Sequence, residues 1–243
     1  MRRSGIDNWR QVWEERGSSY PSDDPIAIDG FDHAAGKMNE ATVDHICKTI
    51  TKQLNLEKSD RLLEVGCGVG MMLSRLANYA GLVVGTDYAM GMVQRGQNLF
   101  PHLLFLKADS NSLPFPDRSF TKVLLHSVTQ YFSGYDYCES VIKEFLRVTG
   151  NQGKSLILLS DVVDLDKKEE YLAFREEMST SVSDAPAWRS SVKETLHHQF
   201  YSRSFFQEIA ARHHLSLTIM DREIPDYPNA AYRYDVLLQP DTP

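Results

Sequence analysis

Leu62-Leu63-Glu64-Val65-Gly66-Cys67-Gly68-Val69-Gly70 decides the fold of this chain of 243 residues. An apolar run carrying one acid passes into three alternate glycines, and a helical pattern begins directly after them. Strand, tight turn and helix in that order open a βαβ unit. Gly66 and Gly68 allow a sharp turn and leave bare backbone against which a ligand can lie. Gly70 lets the helix pack close to the strand. Outward from this stretch the pattern alternates. Strands are predicted at 61–65, 82–86, 103–107, 120–126 and 155–160, with helices at 69–80, 90–100 and 136–148. The strands are short and nearly all apolar, as in Val83-Val84, Val123-Leu124-Leu125 and Leu156-Ile157-Leu158-Leu159. Such strands belong to a parallel sheet covered on both faces, so the chain reads as an α/β, Rossmann-like protein. Right-handed crossovers then bring every strand's carboxyl end to one edge, where ligands bind.

Upstream, Val43, Ile46, Ile50 and Leu54 recur at helical spacing after Asn39. The first 38 residues are mixed, with Trp9 and Trp13 four apart on one side of a short helix, and they read as an N-terminal helical lid. Residues 39–243 then form one domain. The rhythm breaks after Asp161, so about 161–202 reads as an inserted lid after the fifth strand, punctuated by Ala185-Pro186-Ala187. A helix at 203–214 and strands at 215–220 and 232–238 finish the sheet, one of them antiparallel.

The glycine loop narrows the cofactor. A dinucleotide fingerprint wants Gly or Ala at the sixth position from Gly66, and Met71 stands there. A phosphate loop ends in Gly-Lys-Ser/Thr, and none follows. S-adenosylmethionine carries no phosphate and needs a partner for its ammonium group, which Glu64 is placed to supply directly or through water. Asp87 ends the second strand about 20 residues beyond the loop, where an acid accepts from both ribose hydroxyls. Asp109 follows the third strand, where a carboxylate can receive an adenine amino group. Cys67 in the loop, Tyr88 beside Asp87 and Ser110 beside Asp109 complete the candidate cofactor set.

Glu64 to Gly70, then Asp87, then Asp109, then Leu113-Pro114-Phe115-Pro116-Asp117-Arg118-Ser119-Phe120 together resemble a class I S-adenosylmethionine-dependent methyltransferase of the small-molecule type. The resemblance covers about residues 60–161. It implies a seven-stranded sheet with a reversed final hairpin, and the roles just given for the glycines and acids. Thr121-Lys122 departs from the pattern, since the family commonly carries an acid after the phenylalanine.

On the acceptor side, His126 closes the fourth strand and is the candidate general base; alternatively its backbone alone meets the cofactor. Tyr131 is either a wall of the acceptor pocket or core, and Tyr20 belongs either to an aromatic lid over the acceptor or to the packing of a peripheral helix. Arg233 either binds an anionic acceptor or pairs with an acid across a strand. His197-His198 and His213-His214 point about 100° apart on a helix and chelate poorly, so no metal is assigned. The net charge of −7, without a basic patch, argues against nucleic acid and anionic membrane partners. Three separated cysteines (Cys47, Cys67 and Cys138), no apolar run of spanning length and no signal pattern at the start fit a cytoplasmic enzyme, monomeric or homodimeric. The expected activity is methyl transfer to an oxygen or nitrogen of a small molecule, a sugar or natural-product intermediate. Two rivals stand beside it: a nucleotide-dependent oxidoreductase, opposed by Met71, and a non-catalytic module that binds S-adenosylmethionine, whose mark would be a broken loop or a missing Asp87.

Overall fold

The computed structural model describes residues 5–31, 38–150, 153–180 and 197–240. Its centre is a seven-stranded sheet of β1 (Arg61–Val65), β2 (Leu82–Asp87), β3 (Leu104–Lys107), β4 (Lys122–His126), β5 (Leu156–Val163), β6 (Leu215–Asp221) and β7 (Arg233–Pro240). The order across the sheet is β3-β2-β1-β4-β5-β7-β6. β7 alone runs antiparallel, against both β5 and β6. The strand order reverses between β1 and β4, which opens a crevice at their carboxyl ends.

Neighbouring residues along each central strand serve opposite faces. Leu63, Val65, Val123, Leu125, Ile157 and Leu159 join one core, while Leu62, Leu124 and Leu158 join the other. That alternation explains why the strands read as continuous apolar runs. The first core is closed by α6 (Tyr135–Thr149), which presents Val141, Ile142, Phe145 and Val148, and by Phe206 and Ile209 of α8 (Arg203–His213). α3 (Glu40–Gln53) and α4 (Met71–Leu76) close the second, with Val43, Ile46, Ile50, Met72, Leu73 and Leu76. Asn39 caps α3 by accepting from the Thr42 N–H, and Ser202 caps α8 by accepting from Phe205 N–H.

The N-terminal segment is part of this packing. α1 (Gly5–Ser19) crosses α5 (Met90–Leu99) at two glycines. A Cβ on Gly17 would lie 2.3 Å from the Met92 nitrogen, and one on Gly91 would lie 2.7 Å from the Glu14 carbonyl oxygen. Glu14 Oε1 accepts from the Gly91 N–H at 2.8 Å, giving α5 the cap its own Ala89 does not supply. Arg95 of α5 donates to the carbonyls of Tyr20 and Ser22, and α2 (Pro25–Ile28) follows.

Two boundaries differ from the sequence expectation by three residues or more. α4 ends at Leu76, short of residue 80, because the chain turns early toward Gly81, whose N–H donates to the Asp60 carbonyl. β5 continues to Val163 where the sequence suggests a stop at 160 and an insertion from 161. The register with β7 slips between Leu159 and Val162, a bulge that buries Ser160 and Asp161 against Asp235. The chain leaves the sheet through Leu165–Lys167 and α7 (Lys168–Thr180) and returns where Asp164 bridges Tyr201. Residues 181–196, the middle of the expected insertion with its Ala185-Pro186-Ala187, lie outside the described residues. Among the described residues no helix is long and apolar enough to cross a membrane.

Candidate active site

The loop after β1 turns through three left-handed glycines, Gly66 at φ +69°, Gly68 at +56° and Gly70 at +92°. The N–H groups of Gly66 and Cys67 both donate to the Thr86 carbonyl at 2.7 and 3.0 Å, fastening the loop to the end of β2. Cys67 is buried and its thiol is pushed well up, first by burial and then by Asp87, so it is an inert wall.

Asp87 stands at the end of β2 as the sequence predicts. Its Oδ2 accepts from the Gly68 N–H at 3.0 Å and its Oδ1 from Ala89 N–H at 2.9 Å. Burial raises its carboxyl to about 6 against these hydrogen bonds. Glu64 is 3% exposed, and its Oε2 has no hydrogen-bond partner. Burial, then Asp29, then Asp87 hold the Glu64 carboxyl well above the usual carboxylate range.

At the far end of the crevice Asp109 is paired with Arg10 of α1, whose guanidinium lies 5.1 Å from the centre of the Tyr88 ring. Ser110 Oγ is within 3.2 Å of the Tyr137 hydroxyl. The four expected positions Tyr88, Asp87, Asp109 and Glu64 thus lie along the carboxyl ends of β1, β2 and β3, with α1 laid over them.

His126 ends β4, 7% exposed, and its ring stacks at 6.3 Å on Phe31. Burial, against the pull of Asp161, lowers its pKa to about 4, so the ring is neutral at pH 7. Its tautomer follows from its neighbours. The Ser160 hydroxyl donates to Asp235 Oδ1 at 3.0 Å and accepts from Arg222 Nη1 at 2.7 Å. That hydroxyl has no proton left for His126 Nδ1, 3.3 Å away, so Nδ1 carries the hydrogen and donates. Nε2 is left as a buried acceptor with no partner.

Tyr131, which the sequence leaves as either pocket wall or core, packs in a cluster of rings. Its ring centre lies 4.6 Å from Trp9, 5.3 Å from Trp13 and 5.8 Å from His198. Tyr20 packs with Trp13, Ile28 and Met92 and carries the Arg16 guanidinium 4.5 Å over its ring. For Arg233 the sequence leaves open an anionic acceptor or an acid on a neighbouring strand, and the structure has the acid. Arg233 Nη1 donates to Asp161 Oδ2 at 2.8 Å and to the Asp161 carbonyl at 3.0 Å.

Several site residues escape sequence reasoning. Asp29 Oδ1 accepts from the Val69 N–H at 2.8 Å and Oδ2 from Met71 N–H at 3.3 Å, inside the glycine loop. Its sequence signal is slight, an acid before Gly30 at the end of a four-residue helix. Arg10 has none. Asp161, Arg222 and Asp235 form a buried ionic group with Arg233 behind His126. The signal there was Ser160-Asp161 interrupting an otherwise apolar strand.

The residues fit a nucleoside with a cationic amino-acid arm. Six buried polar atoms without partners gather at the carboxyl ends of β1, β2 and β4: Glu64 Oε2, Thr86 Oγ1, Tyr88 OH, His126 Nε2, Thr129 Oγ1 and Gln130 Oε1. Buried polar groups are nearly always satisfied in a complete structure, and six of the thirteen such unpartnered atoms among the described residues fall at these strand ends.

Comparison with known proteins agrees. Residues 63–157 match the family model described as a methyltransferase domain. The demethylmenaquinone methyltransferase of Anoxybacillus flavithermus is 29% identical over 123 residues, 46% of this chain and 49% of that protein. The sterol 4-C-methyltransferase of Caenorhabditis elegans is 26% identical over 144 residues, 56% of this chain and 42% of that protein. The chain therefore spans about half the length, or less, of these curated relatives. Among solved structures, the geranyl diphosphate C-methyltransferase of Streptomyces coelicolor shares the fold with a TM-score of 0.62 at 12% identity, over 99% of both chains. With the glycine loop, the acids at successive strand ends and the strand order all in place, residues 63–157 are a methyltransferase domain, and these features agree with a class I S-adenosylmethionine-dependent methyltransferase.

Proposed function

We propose that this protein transfers the methyl group of S-adenosylmethionine to an oxygen or nitrogen of a small molecule, a sugar or natural-product intermediate. The observation that carries this reading is the row of unpartnered buried polar atoms along β1, β2 and β4, beside an intact glycine loop and Asp87. When bound, the cofactor supplies a methyl group made electrophilic by its sulfonium.

The chain's residues then have a division of labour. Asp87 and Glu64 hold the polar parts of the cofactor, and Tyr88 with Asp109 receives its flat base. Cys67 and the glycines give the backbone wall, with Ser110 beside Asp109. His126 at the end of β4 keeps a neutral Nε2 without a partner, able to accept a proton or a hydrogen bond from an acceptor hydroxyl. Trp9, Trp13, Tyr131 and His198 shield that end from water. Holding acceptor and methyl carbon in line is the larger contribution, worth about 7–11 kcal/mol in favourable cases. In this reading residues 1–38 and the insertion near 161–202 serve as covers for the two ends of the crevice.

The ring cluster favours a second reading, an apolar acceptor methylated on carbon, as the names of the sterol and geranyl diphosphate relatives describe for those proteins. Calorimetric titration with S-adenosylmethionine, S-adenosylhomocysteine and NADH tests the cofactor. Micromolar binding of the first two without NADH supports it, and NADH alone overturns it. An acceptor screen with sugars, amines and prenyl-type apolar compounds then separates the two readings.

A further inference from the structure

The helix that leaves the sheet after β5 carries a cation with no acid to meet. Arg175 of α7 takes part in no ion pair among the described residues, although the helix also holds Glu169, Glu170, Glu176 and Glu177. Those acids stand six and five residues before it and one and two after it, spacings that do not face it on a helix. Its neighbour on the same face is Tyr171, four residues back. Arg175 Nη1 donates to the Tyr171 hydroxyl at 3.3 Å, and the guanidinium lies 5.7 Å from the centre of that ring. Arg175 Nε and Nη2 meet no hydrogen-bond acceptor among the described residues.

Tyr171 joins this cation to the ring cluster. It is buried, and its hydroxyl accepts from Arg233 Nη2 at 3.2 Å as well as from Arg175. With both lone pairs engaged, the hydroxyl hydrogen is what remains to meet His198 Nδ1, 3.4 Å away. His198 Nδ1 is then an acceptor, and the hydrogen of the neutral ring sits on Nε2. Burial, then Arg175 and Arg233, hold this ring well below the ordinary histidine pKa, so it is neutral at pH 7. The Nε2–H has no partner among the described residues. The Gln199 N–H donates to the Gln130 carbonyl at 2.9 Å, which sets His198 beside Tyr131, and the His198 ring stacks on Trp9 at 5.5 Å. Trp9, Trp13, Tyr131, His198 and Arg175 are all half-buried, so the rings line an opening.

That opening has a flat apolar wall and, at its edge, donors without acceptors. Arg233 is already paired with Asp161, so the charge of Arg175 is the unmatched one at Tyr171. A ring-bearing molecule with a single negative charge complements it. The two oxygens of a carboxylate fit the Nε and Nη2 fork of one guanidinium, and their remaining lone pairs can receive the histidine N–H. A phosphate dianion would bring a second charge, and the other cation at Tyr171 is spent on Asp161. We propose that the methyl acceptor is an aromatic carboxylate, its carboxylate bound by Arg175 and the His198 Nε2–H and its ring held by Trp9 and Tyr131. This rests on the reading of the chain as a small-molecule methyltransferase and narrows it. Anion recognition moves from Arg233, where the sequence offered it, to α7. The carboxylate is the handle, and the methylated atom lies elsewhere on the acceptor.

The test titrates the full chain, saturated with S-adenosylhomocysteine, with 2-naphthoate and with its neutral amide, 2-naphthamide, by calorimetry. Wild type binds the carboxylate about tenfold or more tightly than the amide, the scale of one charge-assisted contact. Arg175→Gln weakens 2-naphthoate by about tenfold and leaves 2-naphthamide and S-adenosylhomocysteine within about twofold of wild type. Arg175→Lys keeps the charge without the fork and retains part of the preference, which separates lost recognition from lost folding. His198→Phe, which keeps the stack on Trp9 without the N–H, weakens 2-naphthoate by a smaller factor, about threefold to tenfold. Wild type without a preference for the carboxylate, one that binds neither probe included, overturns the proposal, as does an Arg175→Gln variant whose preference is unchanged. Tighter binding of 2-naphthyl phosphate than of 2-naphthoate overturns the choice of carboxylate. Wild type that fails to bind S-adenosylhomocysteine overturns the cofactor reading itself, an outcome read before any probe is added.

Discussion

Arg233 is the residue on which the structure and a functional reading of the sequence diverge most, so Arg233→Met is the informative substitution. The guanidinium is 4% exposed and Asp161, its partner, is fully buried. Nη1 donates to Asp161 Oδ2 and to the Asp161 carbonyl, and Nη2 donates to the Tyr171 hydroxyl at 3.2 Å. Burial alone would raise the Asp161 carboxyl; Arg233, then Arg222, outweigh it and hold it at about 2. Methionine keeps an unbranched apolar stem but ends about two bonds short of the guanidinium nitrogens, so some packing loss adds to the electrostatic loss. Asp161 would keep the Tyr227 hydroxyl at 2.9 Å and Arg222 Nε at 3.4 Å, too little for a buried carboxylate. Breaking a buried pair in this way costs about 3–5 kcal/mol. For a chain of this length that corresponds to a fall in Tm of roughly 6–20 °C, read by thermal denaturation. The double variant Asp161→Asn/Arg233→Met, which removes the stranded charge and keeps a residue suited to the φ of +68° there, recovers much of the loss. A single variant that melts within 2 °C of wild type but loses acceptor affinity refutes this reasoning, and restores Arg233 as an acceptor ligand.

Three other outcomes are expected. Asp87→Ala weakens S-adenosylmethionine binding by about 1.5–3 kcal/mol in calorimetry; unchanged affinity removes Asp87 from the site. His126→Ala lowers turnover by about 10²-fold or more while cofactor affinity stays within about twofold, and the wild-type rate has no inflection from this ring between pH 6 and 8 because it titrates near 4; a fully active variant ends its role. The third concerns pH. Asp29 is raised to about 7 by burial, beside Asp87, Glu64 and Arg16, so its contribution to stability is whole below the ordinary carboxylate range and lost as pH rises through 7. Asp29→Asn therefore gains stability relative to wild type between pH 5 and 8, on the order of 2 kcal/mol in denaturant melts without ligand, and a pH-independent difference contradicts the assignment.

The sheet was legible because its strands are buried on both faces and must be apolar throughout, so Val123-Leu124-Leu125 and Leu156 to Leu159 declare themselves without any partner being known. The acids at strand ends were legible for a related reason, that polar residues stand out against such runs. Asp29 was not, because it reaches Gly68 across 39 residues of sequence through a four-residue helix whose position depends on Arg16 and α5. Nor was Arg10, whose pairing with Asp109 exists only because two glycines let α1 lie on α5. The extended β5 was misjudged because Ser160-Asp161 has the composition of a loop. What keeps it in the sheet is a bulge filled by Asp235, Arg222 and Arg233, all more than 60 residues away.

The distribution of charge across the crevice also bears on the chemistry. Asp29, Glu64 and Asp87 gather at the β1 and β2 ends, where the proposed reading puts the cofactor. At the β4 and β5 ends the charges cancel: Arg222 and Arg233 neutralise Asp161 and Asp235, burial keeps His126 neutral, and the remaining wall is Tyr131, Trp9 and Trp13. Methyl transfer disperses the positive charge of a sulfonium. Carboxylates beside the sulfur would stabilise the starting state more than the transition state and slow the step, since only interactions stronger in the transition state accelerate it. Carboxylates remote from the sulfur strengthen binding without that penalty. Under the proposed reading, the buried quartet behind His126 contributes by what it withholds, two carboxylates kept paired inside the sheet and away from the place where charge must leave.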